Sequence, residues 1–171
     1  TIRPLLLPFL ISAALCLPLA AQPRIRAVVN GASNLPDVAP GSFATIYGDS
    51  LAASTATASG VPLPATLAGV SLTINGRPAP LYFVRADQVN FQVPAATAPG
   101  PATAILSTGG QSSAPFSFNV TPAAPGILVF GDNRAVVQNQ DGSLNNTGAG
   151  ALPGSTIIAY LTGQGALDNP V

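Results

Sequence analysis

Aspartates are the acid–base side chains that this 171-residue sequence offers: it has six acidic residues, all of them Asp, and six cations, all of them Arg. Histidine and lysine are absent, so Ser-His-Asp, Cys-His and Ser-Lys arrangements cannot form within the chain. A pair of carboxylates, as used in glycoside hydrolysis, remains open. The carboxylates are Asp37, Asp49, Asp87, Asp132, Asp141 and Asp168.

The surroundings of these aspartates favour structural roles. Each lies next to Gly, Pro, Ser or Asn, or between predicted strands, where an Asp side chain satisfies the backbone of a turn. None begins the Asp-Thr-Gly or Asp-Ser-Gly sequence of aspartic proteases. We therefore predict no catalytic residues and no enzymatic activity.

One segment, "NQDGSLNN" at 139–146, has oxygen ligands and a glycine like part of a calcium loop. Aligned on an EF-hand, it puts Val137 and Gly148 at positions that should be acidic, so that interpretation fails. A looser calcium site from Asp132, Asn139 and Asp141 is an alternative to the simpler prediction, a hairpin turn around Asp141-Gly142. We predict no metal and no cofactor.

Sugar binding needs aromatic faces with amide or carboxylate hydrogen bonds beside them. Four residues alternate with apolar neighbours and so face outward: Tyr82, Asn90, Gln92 and Asn119. With no Trp and three Tyr, an aromatic platform is hard to build. Tyr47 and Tyr160 occupy matching places in two similar segments, so we predict that they pack in the core with their hydroxyls bound to nearby backbone.

Composition excludes several partners. Charged residues make up 7% of the chain and the formal net charge is zero, which leaves no basic footprint for nucleic acid and no polybasic patch for anionic lipid. No membrane association is predicted apart from the amino-terminal segment.

The amino-terminal segment "TIRPLLLPFLISAALCLPLAAQP" has one cation followed by an apolar run that ends in small residues. It predicts a signal peptide over residues 1–21, and hence a secreted or cell-surface protein. A retained membrane anchor is one alternative, and lipidation of Cys16 is another, although Leu15 stands where a small residue is needed. The sequence does not begin with Met, which indicates a fragment at this end. Without Cys16 the mature protein has no thiol, so we expect an apolar core rather than disulfides to stabilise it.

The remaining sequence alternates apolar and polar residues with a period of two, which is typical of strands. Asn75-Gly76 and Gly109-Gly110 predict tight hairpin turns, and Ala86-Asp87 predicts a third turn. We expect "GVSLTI", "LYFVR" and "QVNFQV" to form a three-stranded meander. Together with "IRAVVN", "SFATIYG" and the hairpin in 101–120, about seven strands lie between residues 25 and 121, which suits an immunoglobulin-like β-sandwich.

Two segments of the first half return in the same order in the second half. "RAVVNGASN" parallels "RAVVQNQDGSLN", and "PGSFATIYG" parallels "PGSTIIAYLTG", at offsets of about 108 and about 113 residues. Chance recurrence of Pro-Gly-Ser turns is the alternative to a repeat. The predicted organisation is a signal peptide (1–21), an immunoglobulin-like β-sandwich (22–121), a stiff Pro-rich linker (122–126) and the start of a second, incomplete sandwich (127–171).

As an ordered set, "VVNGASN", "PGSFATIYGDSLA", "GVSLTINGRPAPLYFVRADQVNFQVP", "AVVQNQDGSLN" and "PGSTIIAYLTGQG" resemble the uncharacterised domain at the carboxy termini of secreted acidobacterial proteins. The first half is similar, more loosely, to the TIG/IPT branch of immunoglobulin-like domains. The resemblance runs from Ile25 to Val171 and implies an extracellular β-sandwich module with no established activity. That domain usually follows a variable upstream region, whereas here it directly follows the signal segment.

These observations together predict a non-catalytic, secreted or cell-surface module that acts as a spacer, adhesion or assembly element. The alternative is an extracellular polysaccharide-binding module. The expected partners are accordingly other extracellular proteins or glycans. A repeat that has only its first strands would offer an open edge to another chain.

Overall fold

A computed structural model describes residues 21–166 of the chain. The predicted signal peptide up to residue 20, Cys16 and Asp168 lie outside the described residues. Residues 21–166 form strands and turns without any helix, so this part has no helix that could span a membrane. The all-β class predicted from the two-residue period is confirmed.

Eleven strands make up the first unit, and their lengths range from two to nine residues. They are β1 (Arg24–Asn30), β2 (Phe43–Asp49), β3 (Ala56–Thr57), β4 (Thr66–Leu67), β5 (Val70–Ile74), β6 (Arg77–Pro78), β7 (Leu81–Arg85), β8 (Gln88–Gln92), β9 (Gly100–Thr108), β10 (Gln111–Ser112) and β11 (Phe116–Val120).

The eleven strands form two antiparallel sheets that pack face to face. Sheet I has the strand order β1-β2-β8-β7-β3; sheet II has the order β10-β9-β5-β4, with β11 also paired to β9 and β6 to β5. Alternate residues of both sheets meet in one apolar core, in which Phe91 and Ile46 of sheet I and Leu72 and Leu106 of sheet II are fully buried. This is the predicted immunoglobulin-like sandwich.

The predicted meander is wrong. Asn75 and Gly76 do form the hairpin turn, with φ of 49° and 76°, but the strand that returns from it is the short β6. The chain then crosses to sheet I, where β7 pairs with β8 around the predicted Ala86-Asp87 turn, while β5 pairs with β9. Pro78 and Pro80 explain the early end of the hairpin, because proline has no N–H to continue a ladder.

The second predicted hairpin is confirmed. Gly109 and Gly110 have φ of 55° and 77° and join β9 to β10, after which β11 extends the pairing to the start of β9. Ser117 and Asn119 face solvent, and Val120 is buried.

Six short strands make up the second unit: β12 (Gly126–Ile127), β13 (Val129–Phe130), β14 (Arg134–Ala135), β15 (Val137–Asn139), β16 (Ile157–Ala159) and β17 (Leu161–Thr162). They form three separate two-stranded antiparallel ladders, β12–β17, β13–β14 and β15–β16. The apolar core of the described residues ends at Val120 and includes no side chain of this unit.

The β15–β16 ladder has the same register as the β1–β2 ladder. Asn139 pairs with Ile157 as Asn30 pairs with Ala44, and each Asn ends its strand. By this register, Asn139 corresponds to Asn30. An alignment of the two "RAVV" segments would instead match Asn30 with the residue just before Asn139. Arg134 and Ala135 belong to β14, whereas Arg26 and Ala27, their counterparts in sequence, belong to β1.

The turns before β2 and β16 are also alike. The Ser42 hydroxyl donates a 2.7 Å hydrogen bond to the Ala39 carbonyl, and the Ser155 hydroxyl donates a 2.6 Å bond to the Leu152 carbonyl. Gly41 and Gly154 precede these serines with φ of 73° and 86°. The Pro-Gly-Ser sequence therefore builds the same local turn in both units.

The segment predicted as a linker is bound to both units. The Asn30 side-chain amide donates a 2.7 Å hydrogen bond to the Ala124 carbonyl, and the Ala124 N–H donates a 2.7 Å bond to the Gly163 carbonyl. Gly126 passes so close to Asn30 that an added Cβ would lie 2.9 Å from its Oδ1. Further along, the Phe43 N–H donates a 2.8 Å bond to the Thr162 hydroxyl. The two units are thus joined by hydrogen bonds as well as by the chain.

Candidate functional site: an aromatic face on sheet I

The outward side of sheet I, here called the outer face, is set by strand alternation. In β2, Ala44 and Ile46 point into the core, so Phe43, Thr45 and Tyr47 point away from it. In β8, Val89 and Phe91 are buried, so the amides at 88, 90 and 92 point outward. Because Phe43 pairs with Gln92 and Thr45 with Asn90, aromatic and amide side chains lie side by side.

An aromatic pair is the most prominent feature of the outer face. The rings of Phe43 and Tyr82 lie 6.2 Å apart between centroids and meet at 71°, an edge-to-face contact. Tyr82 lies next to an irregularity in β7 between Leu81 and Phe83. The two residues keep 40% and 45% of their surface exposed, so the pair is available to a ligand.

Two amides beside the pair have unused hydrogen-bonding groups. Asn90 Oδ1 accepts bonds from Gln88 Nε2 (2.8 Å) and the Thr45 hydroxyl (3.3 Å), and Gln92 Nε2 donates to the Gly41 carbonyl at 3.0 Å. These contacts hold both side chains in place. Within residues 21–166, the Asn90 NH₂ group and Gln92 Oε1 make no hydrogen bond, so one donor and one acceptor remain.

Two cavities adjoin the aromatic pair, and both rings line both of them. The larger, of about 560 Å³, includes Gln92 and has the loop 58–63 as its wall. The smaller, of about 260 Å³, includes Asn90 and is bounded by Gly31 and Leu128. A third cavity of about 650 Å³ reaches from Phe43 and Gln92 to the 161–166 segment of the second unit. No charged side chain lines any of the three.

Three of the aspartates, Asp49, Asp87 and Asp141, line none of these cavities and have structural contacts. Asp49 forms an ion pair with Arg26 at 2.6 Å, and Asp87 forms one with Arg85 at 2.6 Å. Asp141 Oδ1 accepts hydrogen bonds from the Ser143 hydroxyl (2.6 Å) and N–H (2.9 Å), and these bonds lower the pKa of Asp141. Turns and ion pairs therefore account for these three carboxylates.

Asn139, one of the three residues of the looser calcium alternative, has hydrogen-bond partners within its own turn. The Asn139 amide donates to the Ser143 hydroxyl and the Ala149 carbonyl, and its Oδ1 accepts from Asn145 at 2.8 Å, so the side chain is already fully engaged. The predicted turn at Asp141-Gly142 is confirmed by the Gly142 N–H to Asn139 carbonyl bond of 2.9 Å. In the described part of the chain, no three His, Cys, Asp or Glu side chains are grouped closely enough to hold a metal ion.

Of the four residues predicted to suit a sugar, the structure brings three together. Tyr82, Asn90 and Gln92 share the outer face of sheet I, whereas Asn119 lies on β11 of sheet II. Sequence reasoning missed Phe43. Its signal was present, because Phe43 alternates with the buried Ala44 and so must point outward.

The prediction that Tyr47 and Tyr160 pack in the core is wrong. Their exposed fractions are 38% and 44%. Their hydroxyls donate to side chains rather than to backbone, Tyr47 to Asn34 Oδ1 at 3.3 Å and Tyr160 to Gln138 Oε1 at 3.1 Å. The physical reason is again alternation, since Tyr47 follows the buried Ile46 and therefore points out of the sandwich.

No protein-family model and no curated protein matches this chain. Among solved structures, it is similar to the gamma-CGTase of alkalophilic Bacillus clarkii, at 13% identity and a TM-score of 0.43 over 70% of this chain and 16% of that chain. It is also similar to auxiliary nutrient binding proteins. For the one from Bacteroides thetaiotaomicron the identity is 11% and the TM-score 0.40, over 61% of this chain and 22% of that one. For the one from Bacteroides ovatus the identity is 11% and the TM-score 0.41, over 69% of this chain and 27% of that one. This chain thus spans about a sixth to a quarter of those proteins, and the resemblance to the acidobacterial domain stays a prediction.

Proposed function

We propose that this protein is a non-catalytic extracellular assembly element, in which the closed first unit is a support and the second unit pairs with another β-sheet. The observation that carries the proposal is the open apolar surface of β15–β16. In β2, Ala44 is buried under sheet II; its counterpart in β16, Ile157, is 50% exposed. Among residues 21–166, a face that is covered in the first unit is thus left uncovered in the second.

The exposed apolar surface extends over the whole second unit. Large apolar side chains of 127–161 that face solvent are Ile127, Val129, Phe130, Leu144, Leu152, Ile157, Ile158, Tyr160 and Leu161. Isolated exposed apolar residues are ordinary, but a series on neighbouring strands is typical of an interaction surface. This favours a covering partner for the second unit.

The edge of β16 supports the same conclusion. Edge strands are commonly protected by charge, proline or very short length. In the first unit, β3, β4 and β10 have two residues each, the β1 edge carries Arg24 and Arg26, and the five-residue β11 directly follows Pro115. β16 itself has three residues, but the continuous segment around it, "TIIAYLT" at 156–162, has neither a charge nor a proline. Its sequence therefore favours addition of a further strand.

The proposed partner is a second copy of this chain, joined through antiparallel pairing between the β16 strands of the two copies. Antiparallel pairing places the same strand of two copies side by side and relates them by a twofold axis. The same surface of both copies then forms the interface, as in a twofold dimer. The formal net charge of zero means that two copies do not repel one another strongly. The resulting sheet would run β15–β16 and then the two equivalent strands of the partner.

Molar mass in solution tests this proposal. By light scattering after size-exclusion chromatography, we expect the purified protein to be a dimer at micromolar concentration. Ile158→Lys, which puts a charge on the β16 edge, should yield a monomer. The matched control is Ser112→Lys on β10, which should remain a dimer. A monomeric parent protein, or a dimer that Ile158→Lys leaves intact, would overturn the proposed assembly.

A lack of catalysis is the second part of the proposal, and the contacts of the carboxylates support it. Asp49 and Asp87 are paired with arginines, and Asp141 holds its own turn. Hydrolysis of a panel of polysaccharides should be undetectable. Turnover that is lost in Asp49→Asn or Asp87→Asn would contradict this part.

A further inference from the structure

We infer that the outer face around Phe43 and Tyr82 binds an uncharged oligosaccharide or polysaccharide. This inference goes beyond the assembly function and does not depend on it, because the side chains involved belong to β2, β7 and β8 rather than to β16. It concerns the two cavities that share the aromatic pair.

The aromatic rings of Phe43 and Tyr82 would provide the apolar contacts to the sugar. One face of a pyranose ring presents C–H groups, which pack against aromatic carbon with little desolvation cost. Phe43 and Tyr82 are each about 40–45% exposed and fix one another edge-to-face. The ligand therefore meets a pair whose orientation is already set, which reduces the entropy lost on binding.

The polar half comes from the two amides. Asn90 and Gln92 are two residues apart on one strand face, about 7 Å by strand geometry. Their partners Thr45, Gln88 and Gly41 hold them in place, and the groups left over are an NH₂ donor on Asn90 and an acceptor oxygen on Gln92. Sugar hydroxyls donate and accept at once, so they match this combination better than a ligand that only donates or only accepts.

The absence of charge selects the ligand class. The linings of the three adjoining cavities hold no Arg and no Asp, whereas a separate surface cavity around Pro23 includes Arg24. An anionic ligand would have no cation to pair with its carboxylate or sulfate. A neutral glycan needs none.

The shape of the site favours a chain over a single sugar. Cavities of about 560 and 260 Å³ lie on the aromatic pair, with one amide in each, and such volumes suit small ligands. Because both rings line both cavities, a ligand that extends over the pair can occupy both. The loop 58–63 bounds the larger cavity and limits the direction in which a bound sugar chain can extend.

Chemical-shift mapping by two-dimensional NMR tests the inference with defined probes. Cellohexaose, laminarihexaose, maltohexaose and xylohexaose are titrated into the purified protein, with polygalacturonate as the charged comparison. We expect at least one neutral hexasaccharide to shift the amide signals around Phe43, Tyr82 and Gln92 at millimolar concentration. Polygalacturonate should not shift them.

The matched variants are Tyr82→Ala and Tyr47→Ala. Both remove an exposed tyrosine from the outer face, but Tyr47 lines none of the three cavities. We expect Tyr82→Ala to weaken binding about tenfold or more and Tyr47→Ala to leave it unchanged. Gln92→Leu, a substitution of similar size, should also weaken it. Far-UV circular dichroism confirms that each variant is folded.

Several results would overturn the inference. They are the absence of shifts with all four neutral probes, equal binding by Tyr82→Ala and the parent protein, or preferential binding of polygalacturonate. A protein that binds a neutral hexasaccharide but is monomeric would contradict the assembly proposal alone. A dimer that binds no sugar would contradict only the glycan site.

Discussion

The two units of this protein start from the same hairpin and differ in what covers it. In the first, β1 and β2 lie in a five-stranded sheet, and Val28, Ala44 and Ile46 are buried under sheet II. In the second, β15 and β16 pair in the same register and the same Pro-Gly-Ser turn precedes β16, yet Ile157 and Ile158 remain half exposed. Hairpin geometry and core formation are therefore separable in this chain.

The difference shows which interactions are local. The turn hydrogen bonds of Ser42 and Ser155 lie within three residues of sequence, so they form wherever that sequence occurs. Burial of Ala44 in the core needs sheet II, whose strands all come later in the chain.

Removing a core ring should distinguish the units most strongly. Phe91→Ala deletes a fully buried ring of the first unit and should lower the free energy of unfolding by about 3–5 kcal/mol. Ile157→Ala, at a half-exposed position of the second unit, should cost about 0.5 kcal/mol or less in the monomer. Urea unfolding followed by circular dichroism at low protein concentration measures both. Equal costs would mean that the second unit has a core of its own.

One added methyl group, at Gly163, should disrupt the hydrogen-bonded junction between the two units. A Cβ on Gly163 would collide with the Ala124 carbonyl, whereas at Gly154, which has nearly the same positive φ, it would meet nothing within 4 Å. Both Ala substitutions carry backbone strain of about 1–2 kcal/mol, and Gly163→Ala should cost about 1–3 kcal/mol more through overpacking. We expect faster hydrogen exchange of the Ala124 amide in Gly163→Ala alone. Equal exchange in the two variants would disprove the tight junction.

Substitution of the two equivalent asparagines should destabilise the protein differently: globally for Asn30 and locally for Asn139. Asn30 is buried and bonds to Ala32 N–H, Ser33 N–H and the Ala124 carbonyl. Asn30→Ala should lower the global free energy of unfolding by about 1–3 kcal/mol, because buried polar groups lose their partners. Asn139→Ala should instead speed hydrogen exchange in the 139–149 turn and leave global unfolding unchanged. A global effect of Asn139→Ala would show that the units unfold together.

The smallest expected effect is a pH dependence confined to the Asp141 turn. The Ser143 hydroxyl and N–H lower the pKa of Asp141 in the folded protein, so the ionised carboxylate stabilises the turn at all pH values above its unfolded pKa. This contribution is lost as the pH falls through the lowered folded pKa. An NMR titration of the Asp141 carboxyl carbon should show this, and Ser143→Ala should move the pKa back up. An unchanged pKa in Ser143→Ala would contradict the assignment.

The seven strands of the first unit that have five or more residues could be predicted from the sequence, and so could part of the candidate site. Alternation in "FATIYG" and "QVNFQV" placed β2 and β8, and Asn75-Gly76 and Gly109-Gly110 placed two turns. Tyr82, Asn90 and Gln92 were correctly predicted to face outward. Their partnership with Phe43 could not be predicted, because it depends on β8 lying between β2 and β7, and the predicted meander put β5 beside β7 instead.

Short-range rules account for what the sequence alone determined: the all-β class, the hairpin turns, the inward and outward faces of the strands and the similarity of the two Pro-Gly-Ser hairpins. Each depends on residues a few positions apart, through a period of two or a positive φ. The tertiary structure alone sets which sheet each strand joins and how Ala124 is bound on both sides. Those outcomes depend on pairings between residues far apart in the chain, such as Leu72 with Leu106 and Phe43 with Thr162, which no local pattern specifies.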